Sequence, residues 1–166
     1  MALRLRPVRR ADLDTLERWW NDPEAQGSHN WFGFSADGSA AAPSPLGEDR
    51  GRLLVELDGG TLAGDVSYHA VHHGPNPGSR AFNVGIALVP EHRGRGHGAE
   101  AQRQLAAYLF AHTTVERLEA STDVDNLAEQ RALERAGFTR EGVLRHAQLR
   151  DGGYHDMVLY SRLRDD

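Results

Sequence analysis

The sequence predicts an α+β fold, in which a mixed, mostly antiparallel sheet is flanked by helices. Between residues 52 and 89, strand-like runs are separated by glycine turns, as in an antiparallel meander. A glycine-rich loop then joins the last of these runs to a helical pattern, and two further strand-like runs flank a turn near residue 152. Because strands and helices do not alternate throughout, a series of βαβ units is not predicted. We expect residues 1–166 to form a single domain.

The N-terminal third predicts two helices and a loop. In "RRADLDTLERWWNDPE", Asp12 is a suitable N-cap, and Leu13, Leu16 and Trp20 share one helical face. Asp22-Pro23 can end this helix and begin a second short one, since proline is tolerated at the first helical position. The small and polar residues from Gly33 to Gly51 predict a mobile loop within the domain.

The remaining elements follow from local patterns. "LLVEL" and "TLAGDVSYHAV", joined by "DGG", predict a β-hairpin, and Arg80 to Val89 predict a third strand. Apolar residues from Ala101 to Leu109 keep helical spacing. "VERLEAST" predicts a strand, "NLAEQRALERAG" a short helix ended by Gly137, and the final runs around "RDGG" a hairpin.

Composition excludes several classes of protein. The chain has no cysteine, which excludes disulfides and thiolate catalysis, and its net charge of −5 disfavours a nucleic-acid partner. It has neither a membrane-spanning apolar run nor the apolar core of a signal peptide, so we expect a cytoplasmic protein without a membrane partner. His69, His72 and His73 have no suitably placed carboxylate, and we expect solvated side chains rather than a metal site.

The loop "VPEHRGRGHGAEA" predicts an anion site. Gly94, Gly96 and Gly98 alternate with Arg93, Arg95 and His97, directly before a predicted helix. Exposed backbone N–H groups and the helix dipole at such a position favour phosphate, and arginine matches phosphate geometry. A diphosphate is the natural guest.

Two familiar phosphate loops fit less well. The lysine and hydroxyl residue that end a P-loop are missing. Residues 96–101 satisfy G-x-G-x-x-A, and Glu116 and Glu119 lie near the spacing expected of a dinucleotide site. However, Pro90 to Arg93 intervene where the first glycine of that fingerprint should follow the strand directly, and a meander precedes it. A nucleotide- or NAD-binding protein therefore stays an alternative.

Two motifs resemble the GNAT acyltransferase superfamily. "RGRGHG" (93–98) is similar to its R-x-x-G-x-G signature, and "NLAEQRALERAGF" (126–138) is similar to its next segment, where asparagine opens a helix that ends in Gly-Phe. The opening "LRLRPVRRADLDTLERWWNDPE" and the closing "DGGYHDMVLYSRL" resemble the branch of ribosomal-protein N-terminal acetyltransferases.

The resemblance implies acetyl-CoA as cofactor and a cofactor-binding β-loop-α core. By analogy, the backbone of Leu88 and Val89 pairs with the pantetheine arm, the Val89 N–H stabilises the developing oxyanion, and amides from Arg93 to Gly98 hold the pyrophosphate. Asn126 then contacts the pantetheine region, and Arg131 reaches outer phosphates. The aromatic residues Trp31 and Phe32 either pack in the core or form a wall of the acceptor pocket.

The acid–base residues of the family are not intact. A strand glutamate common in relatives is replaced by Asn83, a tyrosine by Leu133, and a serine of the N-terminal acetyltransferase branch by Glu129. Glu129 is either a base or a charge on the helix surface, and Asn83 either holds a water or packs inertly. Tyr154, with His155 and Tyr160, is a candidate acid on the last hairpin.

These observations favour an N-acetyltransferase that acts on an amine-bearing partner, either a protein N-terminus or a small molecule. A non-catalytic acyl-CoA-binding module is the alternative. Dimers are common among relatives, so a homodimer stays open.

Overall fold

The computed structural model describes residues 2–35 and 47–166. The elements in chain order are β1 (Leu3–Pro7), α1 (Leu13–Trp20), α2 (Pro23–Gln26), β2 (Arg50–Leu57), β3 (Leu62–His72), β4 (Arg80–Leu88), α3 (His97–His112), β5 (Arg117–Asp123), α4 (Leu127–Arg135), β6 (Thr139–Arg150) and β7 (Gly153–Leu163). None of the helices in these ranges is long and apolar enough to span a membrane.

All seven strands form one sheet in the order β1-β2-β3-β4-β5-β7-β6. Neighbouring strands are antiparallel except for β4 and β5, which are parallel. This arrangement confirms the predicted mixed, mostly antiparallel sheet flanked by helices.

The two faces of the sheet bury separate apolar clusters. The larger one packs Leu105 and Leu109 of α3 and Leu133 of α4 against strand residues such as Val66. The predicted helical spacing explains this packing, since residues four apart share one face of a helix. On the opposite face, Leu16 of α1 is fully buried with Leu54 of β2.

Three predictions about the N-terminal third need correction. Strand β1 was not predicted, and the predicted loop was too long, because Arg50 and Gly51 already belong to β2. Residues 36–46 of that loop lie outside the described residues. Asp12 precedes α1 as predicted but does not cap it with its side chain. Its carboxylate accepts hydrogen bonds from the Arg6 guanidinium at 2.8 and 2.9 Å instead.

Candidate active site

A gap between β4 and β5 is the main opening in the sheet. The two strands pair only at Phe82 with Leu118 and at Asn83 with Glu119. Beyond these positions, the backbone of β4 continues to Leu88 and that of β5 to Asp123 without mutual pairing. An edge with unpaired N–H and C=O groups can accept an extended, amide-bearing ligand.

The register of β3 and β4 decides which backbone groups face this gap. The Val89 N–H donates to the Ala63 carbonyl at 3.0 Å. Because hydrogen-bonded and non-bonded pairs alternate along an antiparallel ladder, Ile86 and Leu88 direct their backbone groups away from β3 and towards the gap. The Val89 N–H is already bonded and is therefore not available for the predicted oxyanion role, whereas the Leu88 N–H faces the gap.

Close approach of β3 and β4 at this end requires a glycine. Gly64 has φ +150°, and a Cβ built on it would lie 2.0 Å from the Ala87 carbonyl oxygen. No side chain fits between the strands there without displacing β4. Gly64 thus sets the path of the strand edge that faces the gap.

Arg93 acts within the protein rather than as a free phosphate ligand. Its Nε donates to the Leu88 carbonyl at 2.8 Å, and its Nη2 donates to the Ala25 carbonyl of α2. The guanidinium donates to two carbonyl oxygens. We therefore expect it to contribute less to the binding of a diphosphate than the sequence predicts. Arg93 instead connects the end of β4 with α2.

The glycine loop keeps its backbone amides available. Gly94 and Gly96 have φ values of +69° and +84°, and Gly96 is the left-handed N-cap of α3. Within the described residues, the N–H groups from Gly94 to Ala99 have no backbone or side-chain acceptor, since the first turn of a helix has no intrahelical partners. The exposed side chain of Arg95 has no acceptor in that part of the chain either. This loop can therefore bind an anion.

The loop borders a cavity of about 420 Å³, which we call the loop cavity. Gly98 lines this cavity, and a Cβ built on Gly98 would lie 3.7 Å from Leu88 Cδ1. Arg131 and Arg135, one helical turn apart on α4, both line it. Arg135 was not predicted, although its spacing from Arg131 is a signal that could have indicated it.

A second cavity of about 530 Å³ lies on the α1 and α2 side of the gap, and we call it the aromatic cavity. Trp20, Trp31 and Phe32 line it, together with Arg52 and Asp65. The Phe32 side chain is exposed, and Trp31 makes an edge-on contact with Phe34 at 5.3 Å between ring centroids. Trp31 and Phe32 therefore lie on a cavity wall rather than in the core.

The two cavities meet at Glu129. Both are lined by this residue and by Gln26, Asn30, Ile86 and Asn126. Burial raises the pKa of the Glu129 carboxyl to about 7, against a smaller opposing effect of a hydrogen bond with Gln102. A carboxyl with a pKa near neutral pH at such a junction is suited to proton transfer. A solvated carboxylate on a helix surface is not.

Asn126 caps the helix that carries Glu129. Its Oδ1 accepts a hydrogen bond from the Glu129 N–H at 3.3 Å and so caps α4, while its Nδ2 donates to Thr122 Oγ1 at 3.0 Å. Both polar atoms of the side chain are thus used inside the protein. The predicted contact of Asn126 with a ligand stays a prediction, and the residue lines both cavities.

Asn83 and Tyr154 are not brought to the cavities. Asn83 lies at the last paired position of β4 and β5 and is absent from the described lining of both. Tyr154 is 65% exposed on β7 and stacks on His146, with 6.1 Å between the ring centroids. Neither position supports a role in the same reaction as Glu129.

An ionic cluster that the sequence did not predict connects β5 and the last hairpin with the segment before Trp31. Arg150 Nη2 donates to Asp123 Oδ2 at 2.5 Å at the end of β5, and both side chains are buried. Arg150 Nη1 also reaches the His29 carbonyl at 3.5 Å, and His155 Nδ1 lies 3.1 Å from Asp123 Oδ2. The segment that leads to Trp31 is thereby attached to the sheet.

Of the three histidines near the β3–β4 turn, His73 has a carboxylate partner that the sequence did not indicate. His73 Nε2 lies 2.5 Å from Glu119 Oε1 on β5. Among residues 2–35 and 47–166, no three side chains of the metal-binding types are grouped so that they could hold a metal ion.

Comparison with known proteins agrees with this geometry. A family profile described as "Acetyltransferase (GNAT) domain" matches residues 2–139. The uncharacterised N-acetyltransferase YoaA of Bacillus subtilis is 31% identical over 100 residues, which cover 60% of this chain and 54% of YoaA. The ribosomal-protein-serine acetyltransferase of Escherichia coli is 27% identical over 104 residues, which cover 63% of this chain and 56% of that enzyme.

This chain spans little more than half the length of those two relatives. Among solved structures, the spermidine N-acetyltransferase of Vibrio cholerae in complex with CoA and spermine superposes with a TM-score of 0.77. It is 22% identical, and the match covers 98% of this chain and 96% of that one. At this identity the likeness concerns the fold, and it confirms the predicted architecture.

Proposed function

The chain belongs to the acetyltransferase (GNAT) domain family, and from this premise we propose that it moves an acetyl group from acetyl-CoA directly to a primary amine. One observation carries the proposal: two cavities, one suited to a diphosphate and the other to an organic amine, meet at Glu129. Direct transfer needs both reactants in contact, and the junction of these two cavities provides such a place.

The loop cavity fits the diphosphate and the pantetheine of acetyl-CoA. Six consecutive N–H groups from residues 94–99 lack acceptors within the described chain, and the N-terminus of α3 adds about half a positive charge. Arg95 and Arg131 add full charges at or near the same opening. The amide-bearing pantetheine arm suits the backbone groups of Ile86 and the N–H of Leu88, as an added strand would, while the Leu88 carbonyl accepts a hydrogen bond from Arg93.

The chain orients the reactants and handles one proton. Acetyl-CoA supplies an activated thioester carbonyl, and the Leu88 N–H faces the gap where negative charge would develop on the carbonyl oxygen. Glu129 accepts the proton that the amine nitrogen loses as its bond to the acetyl carbon forms. The carbon–sulfur bond of the thioester breaks in the same transfer, and the proton that Glu129 has taken up balances the one that the departing CoA thiolate gains to leave as the thiol. An α-amine with a pKa of about 8 needs less of this help than a lysine-like amine with a pKa of about 10.4.

The aromatic cavity is the proposed acceptor site. Trp31 and Phe32 give it an apolar wall beside Glu129, and Asn30 and Gln26 add polar groups at the junction. The acceptor could be a protein N-terminus or a small molecule, in agreement with the names of the relatives.

The test is a panel of primary amines with acetyl-CoA, in which released CoA thiol is measured. Saturable release with at least one amine, and a thermal shift with acetyl-CoA but not with NAD, is the expected result. Binding of acetyl-CoA without thiol release for any amine would instead identify a non-catalytic acyl-CoA-binding module. A shift with NAD alone would overturn the assignment of the glycine loop.

A further inference from the structure

We propose that the acceptor carries, several bonds from its primary amine, a carboxylate that Arg52 binds, and that polyamines are poor acceptors. This inference rests on the proposed function and names the substrate class of the aromatic cavity. It differs from what the names of the spermidine acetyltransferases among the solved structures would suggest.

The charges in the aromatic cavity argue against a polycation. Among its described lining residues, the ionisable side chains are Arg52, Asp65 and Glu129. Arg52 Nη1 donates to Asp65 Oδ2, so the negative charge of Asp65 is already paired. Glu129 is then the remaining carboxyl, and it lies beside the reacting amine. A second ammonium group would enter this cavity without a carboxylate to receive it, which is costly.

Arg52 has the donors to bind an oxygen anion. Its guanidinium lies over the Trp20 ring, with the central carbon 4.0 Å from the ring centroid, and its Nη1 is held by Asp65. Its Nε and Nη2 have no acceptor within residues 2–35 and 47–166. Parallel N–H groups on one edge of a guanidinium match the two oxygens of a carboxylate. The side chain is 27% exposed, and the residue lines the cavity.

The sheet sets the separation of the two acceptor groups. Arg52 pairs with Ser67 of β3, and Ser67 pairs with Gly85 of β4. Two strand spacings place the Arg52 Cα roughly 10 Å from the β4 backbone. Because Asp65 lies on β3, the guanidinium that reaches it leans from β2 towards β4. Ser67 between them and Gly85 on β4 itself are small, so they leave room in the cavity for an acceptor that spans this distance.

The experiment compares amines of equal length that differ only in the distal group. 5-Aminopentanoate ends in a carboxylate, pentylamine in a methyl group and cadaverine in a second ammonium. We expect kcat/KM to be highest for 5-aminopentanoate, at least about tenfold above pentylamine, since hydrogen bonds to charged groups are the stronger ones. Cadaverine should be the poorest of the three.

Arg52→Gln should reduce the preference for the carboxylate to within about twofold, with the dissociation constant of acetyl-CoA unchanged. Arg52→Lys, which keeps the charge next to Asp65 but removes the planar fork, should retain part of the preference and covers the case that Arg52→Gln does not fold. Arg50→Gln is the matched control, because Arg50 is an exposed arginine on the same strand outside the cavity lining.

The outcomes separate this inference from the proposed function. A carboxylate preference that depends on Arg52 supports it. Release of CoA without such a preference, or with cadaverine preferred, overturns it and leaves the acetyltransferase assignment standing. Bound acetyl-CoA with no release for any of the amine acceptors, in this panel or the general one, overturns both.

Discussion

Replacing Glu129 by glutamine should change stability and activity in opposite directions. Burial raises the pKa of the Glu129 carboxyl from 4.5 to about 7 in the folded protein. Between these two pH values the folded state binds more protons than the unfolded state, so this group makes the protein less stable as the pH rises through that range. Glu129→Gln removes the effect.

The size of the stability change follows from the shift. At pH 8.5, Glu129→Gln should be more stable than the wild type by at most about 3 kcal/mol, because each pKa unit corresponds to about 1.4 kcal/mol and the side chain keeps some access to solvent. At pH 4 the Glu129 carboxyl is mostly protonated in both the folded and the unfolded state, so its ionisation should make almost no difference between the stabilities of the two proteins. Thermal or urea unfolding at the two pH values measures the difference.

The same variant should lose activity. General-base catalysis contributes about 10²- to 10⁴-fold, so we expect kcat/KM to fall by that range, and the rise in rate around pH 7 should disappear. Glu116→Gln is the control, since the Glu116 side chain is 73% exposed and lies outside the described lining of both cavities. A Glu129→Gln enzyme with normal turnover and an unchanged pH profile would refute the role of Glu129 as the base.

Three other substitutions test the glycine loop, the connection that Arg93 makes between β4 and α2, and the close approach of β3 and β4. Gly96→Asp places a negative charge at the N-cap of α3 and a side chain at φ +84°, so we expect at least tenfold weaker acetyl-CoA binding by calorimetry, with the fold retained by circular dichroism. Equal affinity would contradict the anion site. Arg93→Gln should raise the KM for the amine as well as that for acetyl-CoA, because α2 loses its connection to β4; an effect on acetyl-CoA alone would argue for direct phosphate contact. Gly64→Ala should destabilise the protein by several kcal/mol in urea unfolding, since its Cβ would meet the Ala87 carbonyl oxygen; a loss below about 1 kcal/mol would show that β4 can move there.

Local patterns were sufficient for the helices, for the strands after β1 and for the glycine loop. The positive φ values at Gly94 and Gly96 and the start of α3 at His97 follow from the loop's own residues. Strand β1 escaped prediction although Leu3 to Arg6 alternate leucine with arginine as a half-buried strand would, because the run is short and has no turn signal of its own. Its position follows from pairing with β2, which is more than 40 residues away in the chain.

Contacts distant in sequence decided what local patterns could not. Whether Leu88 or Val89 faces the gap depends on the register with β3, which one strand cannot reveal. The Arg93 guanidinium, which the sequence predicted to be available for phosphate, donates a hydrogen bond to the carbonyl of Ala25, 68 residues earlier. The burial that raises the pKa of Glu129 likewise comes from the packing of other elements around α4.

Amide hydrogen exchange, measured by NMR with and without CoA, tests the central claim most directly. In the free protein, the Val89 N–H should already exchange slowly, since it is bonded to Ala63, while those of Leu88, Gly94 and Gly96 should exchange fast. CoA should slow exchange at Leu88 and at the loop glycines and leave Val89 unchanged. Fast exchange at these glycines in the presence of saturating CoA would contradict the account.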